Sequence, residues 1–505
     1  MKKIIAMLLA LSIILSLAAC SSKKDTAVGA AEDGTTVETV DVSSEGDILV
    51  VGCDAFSQTF SPFFADTQCD MDVADIVSQY LLAADREGYV IMDGLGGETI
   101  AYNGTDYTYY GLATCEVLEK YDGTVDYNFT MRDDIYFSDG TNMTADDAIF
   151  TMYVLCDPAY DGPSALYTVP IVGLEAYRSG VESMMNLMLA AGEDNTTFTL
   201  WTEEDQLDFW ADLRQAGTAF AQEIVDYCAE FGAKDAASAA DLWGFSLEEG
   251  ATVEDFFFLM CEAYDWNLTS LSEIERVDSS LFDLMKYYDR WNTGVQIGES
   301  VANIAGIRKT GDYTFTVTTT EVDPTALCQL NFSVAPLHYY GDVSLYDYEN
   351  NMFGFPKGDM SLIKEKSNHP LGAGPYQFVS YENGCVTLEA NAYYWKGVPK
   401  IKTMLWKETT DADKISGVVA GSFDITAPAF SSDIVENLKA YNANGELNGD
   451  VITTSTVDNL GYGYLGICAK TVNVGGEPDS DASKNLRKAF ATLVAVYRDM
   501  AVNAY

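Results

Sequence analysis

Five aspartates crowd into TMRDDIYFSDGTNMTADDAIF, the stretch from Thr130 to Phe150. Carboxylates at that density could hold a cation or work as an acid–base pair. A calcium loop needs oxygen ligands alternating about a fixed glycine and a closing glutamate. Asp133, Asp134 and Asp139 break that spacing, and no glutamate closes the run. Thr144-x-x-Asp147 has instead the form of a capping box, with the hydroxyl accepting from an early backbone N–H and the acid at the positive helix end. Asp139-Gly140 is a turn signal. The aspartates are therefore expected to do structural work, with neither a metal nor a catalytic pair among them.

Other reactive constellations are missing as well. The histidines are His338 and His369, and neither stands in HExxH or beside a GxSxG serine. Gly372-Ala373-Gly374 lacks the phosphate-cradle spacing and leads into a strand pattern, not a helix. Beyond Cys20 the cysteines are Cys53, Cys69, Cys115, Cys156, Cys228, Cys261, Cys328, Cys385 and Cys468, with no CxxC. Most are expected to be buried small apolar residues. Disulfides are open to them outside the cytoplasm, but spacing does not pair them. No cofactor is implied.

A formal charge of −48 repels phosphate backbones, so nucleic acid is not an expected partner. The 505 residues, about half of them hydrophobic, exceed the usual single domain and can bury more than one core. At the N-terminus Lys2 and Lys3 precede an apolar run from Ile4 to Leu17, then Ala18-Ala19-Cys20. The run is too short for an ordinary membrane span and reads as a secretory signal. Cysteine directly after Ala-Ala resembles the bacterial lipoprotein box, which implies acylation of Cys20 and anchoring at the cell membrane. Residues 1–20 are thus the expected signal peptide. Residues 21–46, rich in Ser, Thr, Gly, Asp and Glu, are the expected tether.

Several elements must position whatever site the chain holds. Ile48–Val51 is the first strand-like run, Val73–Leu82 reads as a helix, and Val125–Met131 alternates as a half-buried strand does. Thr144 starts a helix with an apolar stripe of Ile149, Phe150, Tyr153 and Val154. Leu207–Phe231 is a helical amphipathic run. Gln377–Tyr381 and Cys385–Glu389 flank Asn383-Gly384, a strong hairpin signal. A strand at Thr403–Thr409 and a helix at Asp411–Ala420 follow.

Phe129–Phe150 resembles the pattern FxLRxxxxFSDGxxxTAxDVxxS, and Gly372–Ile425 resembles GTGPYxF…LxxNxxYW…GxxDI, with Ala373 in place of Thr. Asn485–Tyr497 is similar to a DxRxRxAxxxAxDR helix, with departures at Asn485, Leu486 and Tyr497. In this order and combination, the motifs resemble the extracellular solute-binding proteins of the peptide/nickel class, family 5. The resemblance implies an α/β, two-lobe, periplasmic-binding-protein-like fold of type II. Lobe one would span 47–460, with a mainly helical insertion at 181–300. Its flanks, Ile171–Gly180 and Ile304–Lys309, would lie close together. Lobe two would begin at 461–505 and be largely absent, as in a truncated chain.

Such proteins close two lobes around a solute by hinge bending and perform no covalent chemistry. Peptide-binding members hold the ligand as an added strand and pass it to the permease subunits of an ABC importer. The resemblance therefore implies a monomeric, membrane-anchored receptor for a peptide or related small solute. By position, Asp66, Thr67 and Gln68 are candidate lobe-one contacts, with Ser164 and Tyr167 after the capped helix and Tyr462 and Tyr464 on a crossing strand. The competing expectations are a sensor or docking lipoprotein without transport, a carboxylate-dependent surface hydrolase, and nickel delivery, for which two histidines are few.

Overall fold

The computed structural model describes residues 47–429, 431–455 and 465–502. The signal run, Cys20, the tether, Tyr462 and Tyr464 lie outside the described residues.

The run ILVVGC, with β-branched Ile48, Val50 and Val51, forms β1 (Ile48–Cys53). A loop then leads to α1 (Gln68–Val77). This corrects the helix expected at Val73–Leu82, which starts and ends five residues earlier. Thr67 decides the start, since its hydroxyl accepts from the Asp70 N–H at 3.3 Å. Ser78 is already extended, and the residues after it pair sideways. Leu81 N–H donates to Phe332 O at 2.9 Å, and Val334 N–H to Gln79 O at 3.0 Å. Leu81 and Leu82 are fully buried, so the apolar signal there was real but not helical.

An antiparallel sheet follows. Its strands are β2 (Ala113–Glu119), β3 (Val125–Met131), β4 (Ile307–Gly311) and β5 (Thr314–Thr319), in the order β2-β3-β5-β4. The expected strand at Val125–Met131 is therefore central. Phe129 pairs with Phe315 across the sheet, and their rings stack at 4.8 Å. After β3 the chain bends at Gly140, where φ is 87°, and enters α2 (Ala145–Leu155) through the Thr144 cap. Thr144 N–H donates to Asp147 Oδ2 at 2.8 Å, completing the capping box. Three of the other aspartates of the run also have side-chain partners. Asp134 takes two bonds from the Arg132 guanidinium, Asp139 binds His338 Nε2 at 2.6 Å, and Asp146 binds Lys309 Nζ at 2.7 Å.

Burial pushes the Asp147 and Asp157 carboxyls up to about 6, although each accepts backbone N–H bonds. A carboxyl raised in the folded state contributes stability that is present below its ordinary value of 3.8 and lost as pH rises through about 6. Relief of the −48 charge acts in the same direction. The carboxyls held low by partners, such as Asp134 beside Arg132, act oppositely, but only below the ordinary range. The thermal midpoint should therefore rise on acidification from about pH 7 to about pH 5 and fall again below about pH 3.5. A melting series in one buffer at fixed ionic strength checks this; a midpoint that drops steadily from pH 7 contradicts it.

Residues 184–293 fold into helices around a core of their own, which includes Phe209, Trp210, Leu213, Phe220, Phe257 and Trp291. The longest is α3 (Glu203–Ala229), which packs on α4 (Val253–Ala263). Two short strands, Val181–Ser183 and Gly294–Gln296, pair antiparallel where the segment leaves and returns. The flanks Ile171–Gly180 and Ile304–Lys309 are neighbours: Gly306 N–H donates to Val172 O at 2.7 Å. Gly217, in the middle of α3, lets the two helices approach, because a Cβ there would lie 2.2 Å from the Phe257 ring. Alanine for glycine in a helix interior ordinarily stabilises by roughly 1 kcal/mol. Here overpacking against a fully buried ring should outweigh that, so Gly217→Ala is expected to destabilise by about 1–2 kcal/mol, read by urea unfolding.

The second sheet is mixed. A hairpin of β6 (Tyr376–Glu382) and β7 (Cys385–Ala390) turns at Asn383-Gly384, with φ of 53° and 70°. It continues to β8 (Thr403–Glu408), then β1, then β9 (Ile425–Thr426), with β1 parallel to both of its neighbours. This sheet covers α1 through Val51, Phe60, Val73, Val77, Phe378 and Leu388. In the chain, α5 (Asp411–Val419) lies between β8 and β9, close to the expected span.

Candidate functional site

The glycines of Gly372-Ala-Gly-Pro-Tyr serve a close backbone approach. Cβ atoms at Gly372 and Gly374 would fall 2.4 Å from Val77 O and 2.3 Å from Ile76 O. Gly374 N–H donates to Val77 O at 2.7 Å, satisfying a carbonyl at the end of α1. Buried Asn391 locks the far side: its Nδ2 donates to Gly374 O at 2.8 Å, and its Oδ1 accepts from Tyr393 N–H at 2.8 Å. The motif thus fixes the C-terminal end of α1.

The N-terminal end is fixed by Asp70, which is fully buried. Its carboxylate accepts from Ser57 N–H and Ser57 Oγ, both at 2.9 Å, from Thr59 N–H at 3.2 Å, and from the Thr67 hydroxyl. The loop before α1 is thereby wrapped onto the first turn. Buried Tyr160 holds the same loop from the other side, its hydroxyl donating to Phe63 O at 2.7 Å and accepting from Ser164 N–H at 3.2 Å.

Against this clamped helix lies an open cavity of about 230 Å³. The loop contributes Ser61, Pro62, Phe63 and Ala65, and α1 contributes Met71, Ala74 and Asp75. Thr151 and Leu155 come from α2, and Tyr160, Pro163 and Ser164 from the segment after it. Tyr80, Cys328, Gln329, Asn331, Phe332 and Ser333 complete it. Tyr80 OH donates to Asp75 Oδ1 at 2.9 Å, a polar pair in a lining that mixes polar and apolar side chains.

Of the residues singled out from sequence, Ser164 lines this cavity. Asp66, Thr67 and Gln68 do not line it. Thr67 caps α1, Gln68 Nε2 bonds Asp72 Oδ1 at 2.8 Å within the first turns, and Asp66 is exposed. Tyr167 is also outside it, partly exposed, with the Arg178 guanidinium 4.7 Å from its ring centre. Asp75 and Tyr80 escape notice in the sequence because they fall inside the misplaced helix. The 328–333 segment carries no motif. Among the described residues, no group of three or more His, Cys, Asp or Glu could hold a metal ion, and no helix is long and apolar enough to cross a membrane.

The family described as bacterial extracellular solute-binding proteins, family 5 (middle), matches residues 109–238 and 252–495. The chain belongs to that family. It is a family of binding proteins that act outside the cytoplasm. The matched ranges run through most of the helical segment as well. A curated relative, the oligopeptide-binding protein AppA of Bacillus subtilis, is 32% identical over 82 residues, 16% of this chain and 13% of its own. Among solved structures, B. subtilis AppA in complex with a nonapeptide is 15% identical with a TM-score of 0.36, covering 75% of this chain and 44% of its own. Haemophilus influenzae OppA in complex with RPPGFSPFR is 16% identical with a TM-score of 0.38, covering 79% and 49%. Lactococcal OppA with an endogenous peptide, in the closed conformation, is 14% identical with a TM-score of 0.41, covering 78% and 48%. The family 5 chain spans less than half the length of these solved relatives.

Proposed function

We propose that this family 5 protein is the receptor of an ABC importer. Anchored by an acylated Cys20, it captures a peptide or related small solute and presents it to permease subunits. The observation that carries the proposal is the cavity built on α1. Its helix is clamped at both ends, so the site is rigid before any ligand arrives, which lowers the ordering cost of binding. At about 230 Å³ it is smaller than the roughly 300–1,000 Å³ of a complete small-molecule pocket, so it suits one part of a solute. Apolar Phe63, Met71 and Leu155 would take a side chain, while Asp75 and Tyr80 offer an acceptor and a phenol to a polar or cationic end. Binding energy would then bias a hinge between open and closed lobes.

The test begins with mass spectrometry of solutes that co-purify with the chain, followed by calorimetric titration with those solutes. Asp75→Asn should weaken binding about tenfold, near 1.4 kcal/mol, without moving the melting midpoint. Absence of any co-purifying solute, together with no heat from a mixed short-peptide pool at millimolar concentration, would overturn the proposal. Peptide binding by a protein encoded far from any permease gene would favour sensing over transport.

A further inference from the structure

Lys364 closes the short helix Ser361–Lys364 and meets three parts of the protein at once. Its Nζ donates to Asp161 Oδ2 and to Asp289 Oδ1, both at 2.8 Å. The same ammonium lies 5.4 Å from the centre of the Phe64 ring and 5.0 Å from that of Tyr288. Phe64 stands between Phe63 and Ala65 of the cavity loop, and Asp161 follows Tyr160 in the cavity wall after α2. Tyr288 and Asp289 belong to the helical segment, in its short helix Tyr288–Trp291. A second set of bonds runs alongside. Asn292 Nδ2 donates to Asp161 Oδ2 at 3.2 Å and to Ala159 O at 3.3 Å. Gly294 N–H, where the segment returns, donates to Gly358 O at 2.6 Å, and Gly358 N–H donates in turn to buried Asp157 Oδ2 at 2.9 Å.

We propose that the helical segment regulates the cavity through this joint, with Lys364 as the positioning residue. The switching element is the wall of residues 157–164, docked on Asp289 and Asn292 or released from them. A solute touching Tyr160, Pro163 or Ser164 selects the docked arrangement, and an intact helical segment selects it too. Each therefore stabilises the other, because coupling between two sites is reciprocal.

Among the described residues, none of 184–293 lines the cavity, so the segment acts on affinity through the wall and not by touching solute. Lys364 suits that work. Its side chain is only 17% exposed, so its charge depends on both carboxylates for the hydration it gives up. The effect on affinity rests on the cavity being the solute site, as proposed above; the joint between wall and segment does not.

The test follows amide exchange in the whole chain by mass spectrometry. Lys364→Met keeps an unbranched side chain and removes the charge, and exchange over residues 157–164 should rise about tenfold. Lys364→Arg still reaches both carboxylates and should restore the wild-type rate. Asp289→Asn, changed at a carboxylate on the helical side, should speed exchange over the same residues and serves if Lys364→Met does not fold. In the wild type, a pool of short peptides at millimolar concentration should slow exchange over residues 288–292, which lie outside the cavity, and Lys364→Met should lose that protection. Unchanged exchange over 157–164 in the folded variant would overturn the proposal, and so would a pool that binds without protecting 288–292. A pool that does not bind at all counts against the solute site itself, and the exchange rates of the variants then decide the joint on their own.

Discussion

Asp212→Ala should unfold the helical segment well before the rest of the chain. Asp212 is buried on α3 and accepts three bonds: from Trp291 Nε1 at 2.8 Å, Lys286 N–H at 2.9 Å and Tyr287 N–H at 2.9 Å. These tie the last turn of the segment back onto its longest helix. Alanine removes the group that accepts all three bonds and strands Trp291 Nε1, on a fully buried ring, together with two half-buried backbone donors. Each stranded buried donor costs about 1–3 kcal/mol, and partial relaxation brings the sum to about 4 kcal/mol. Asp212→Asn keeps one carbonyl oxygen and should lose about half as much. Tryptophan fluorescence reads this directly, because Trp201, Trp210, Trp243, Trp266 and Trp291 belong to the segment while Trp395 and Trp406 lie elsewhere. An unchanged fluorescence midpoint in denaturant would show that the segment does not depend on this carboxylate.

The second large effect is expected at Asp70, and it reaches the cavity. Four donors from Ser57, Thr59 and Thr67 converge on this buried carboxylate. Asp70→Ala frees the loop before α1 and weakens the Thr67 cap together, a loss of about 3 kcal/mol. Amide exchange at Ser57 and Thr59 should accelerate roughly a hundredfold if that energy is local, since about 1.4 kcal/mol corresponds to tenfold. Solute affinity should fall with it, because Ser61 to Ala65 would no longer be held in place. Exchange that stays at the wild-type rate would mean the loop is held by its apolar contacts alone.

These two acids show where sequence reading succeeds and where it stops. Local signals carried through: the alternating run at Val125–Met131 is a strand, Thr144 and Asp147 form a capping box, and Asn383-Gly384 turns a hairpin. The amphipathic run at Leu207–Phe231 lies on a helix of closely matching bounds. Each of these depends on residues within a few positions of one another. The misplaced helix shows the limit. Leu81 and Leu82 have helical spacing with Val73 and Val77, but their backbone is claimed by 331–334. Leu82 N–H reaches Asn331 Oδ1 across 249 positions. No local pattern announces such a partner, so Asp75, Tyr80 and the 328–333 segment could not be assembled into one cavity beforehand. Asp212 is similar, reading as one more helical acid among many until Trp291 arrives from 79 positions away.

The placement of β1 sets a schedule for folding. This strand comes early in the chain, yet it pairs on one side with Thr403–Glu408 and on the other with Ile425–Thr426, so Ile48 waits for Thr403. Until some 350 further residues have followed, ILVVGC has neither edge satisfied, and its β-branched Ile48, Val50 and Val51 stand unpaired. The antiparallel sheet and the helical segment, whose contacts lie nearer in sequence, can be complete by then. Closing the mixed sheet is thus the late step of maturation, and the interval before it is when the emerging chain most needs a chaperone.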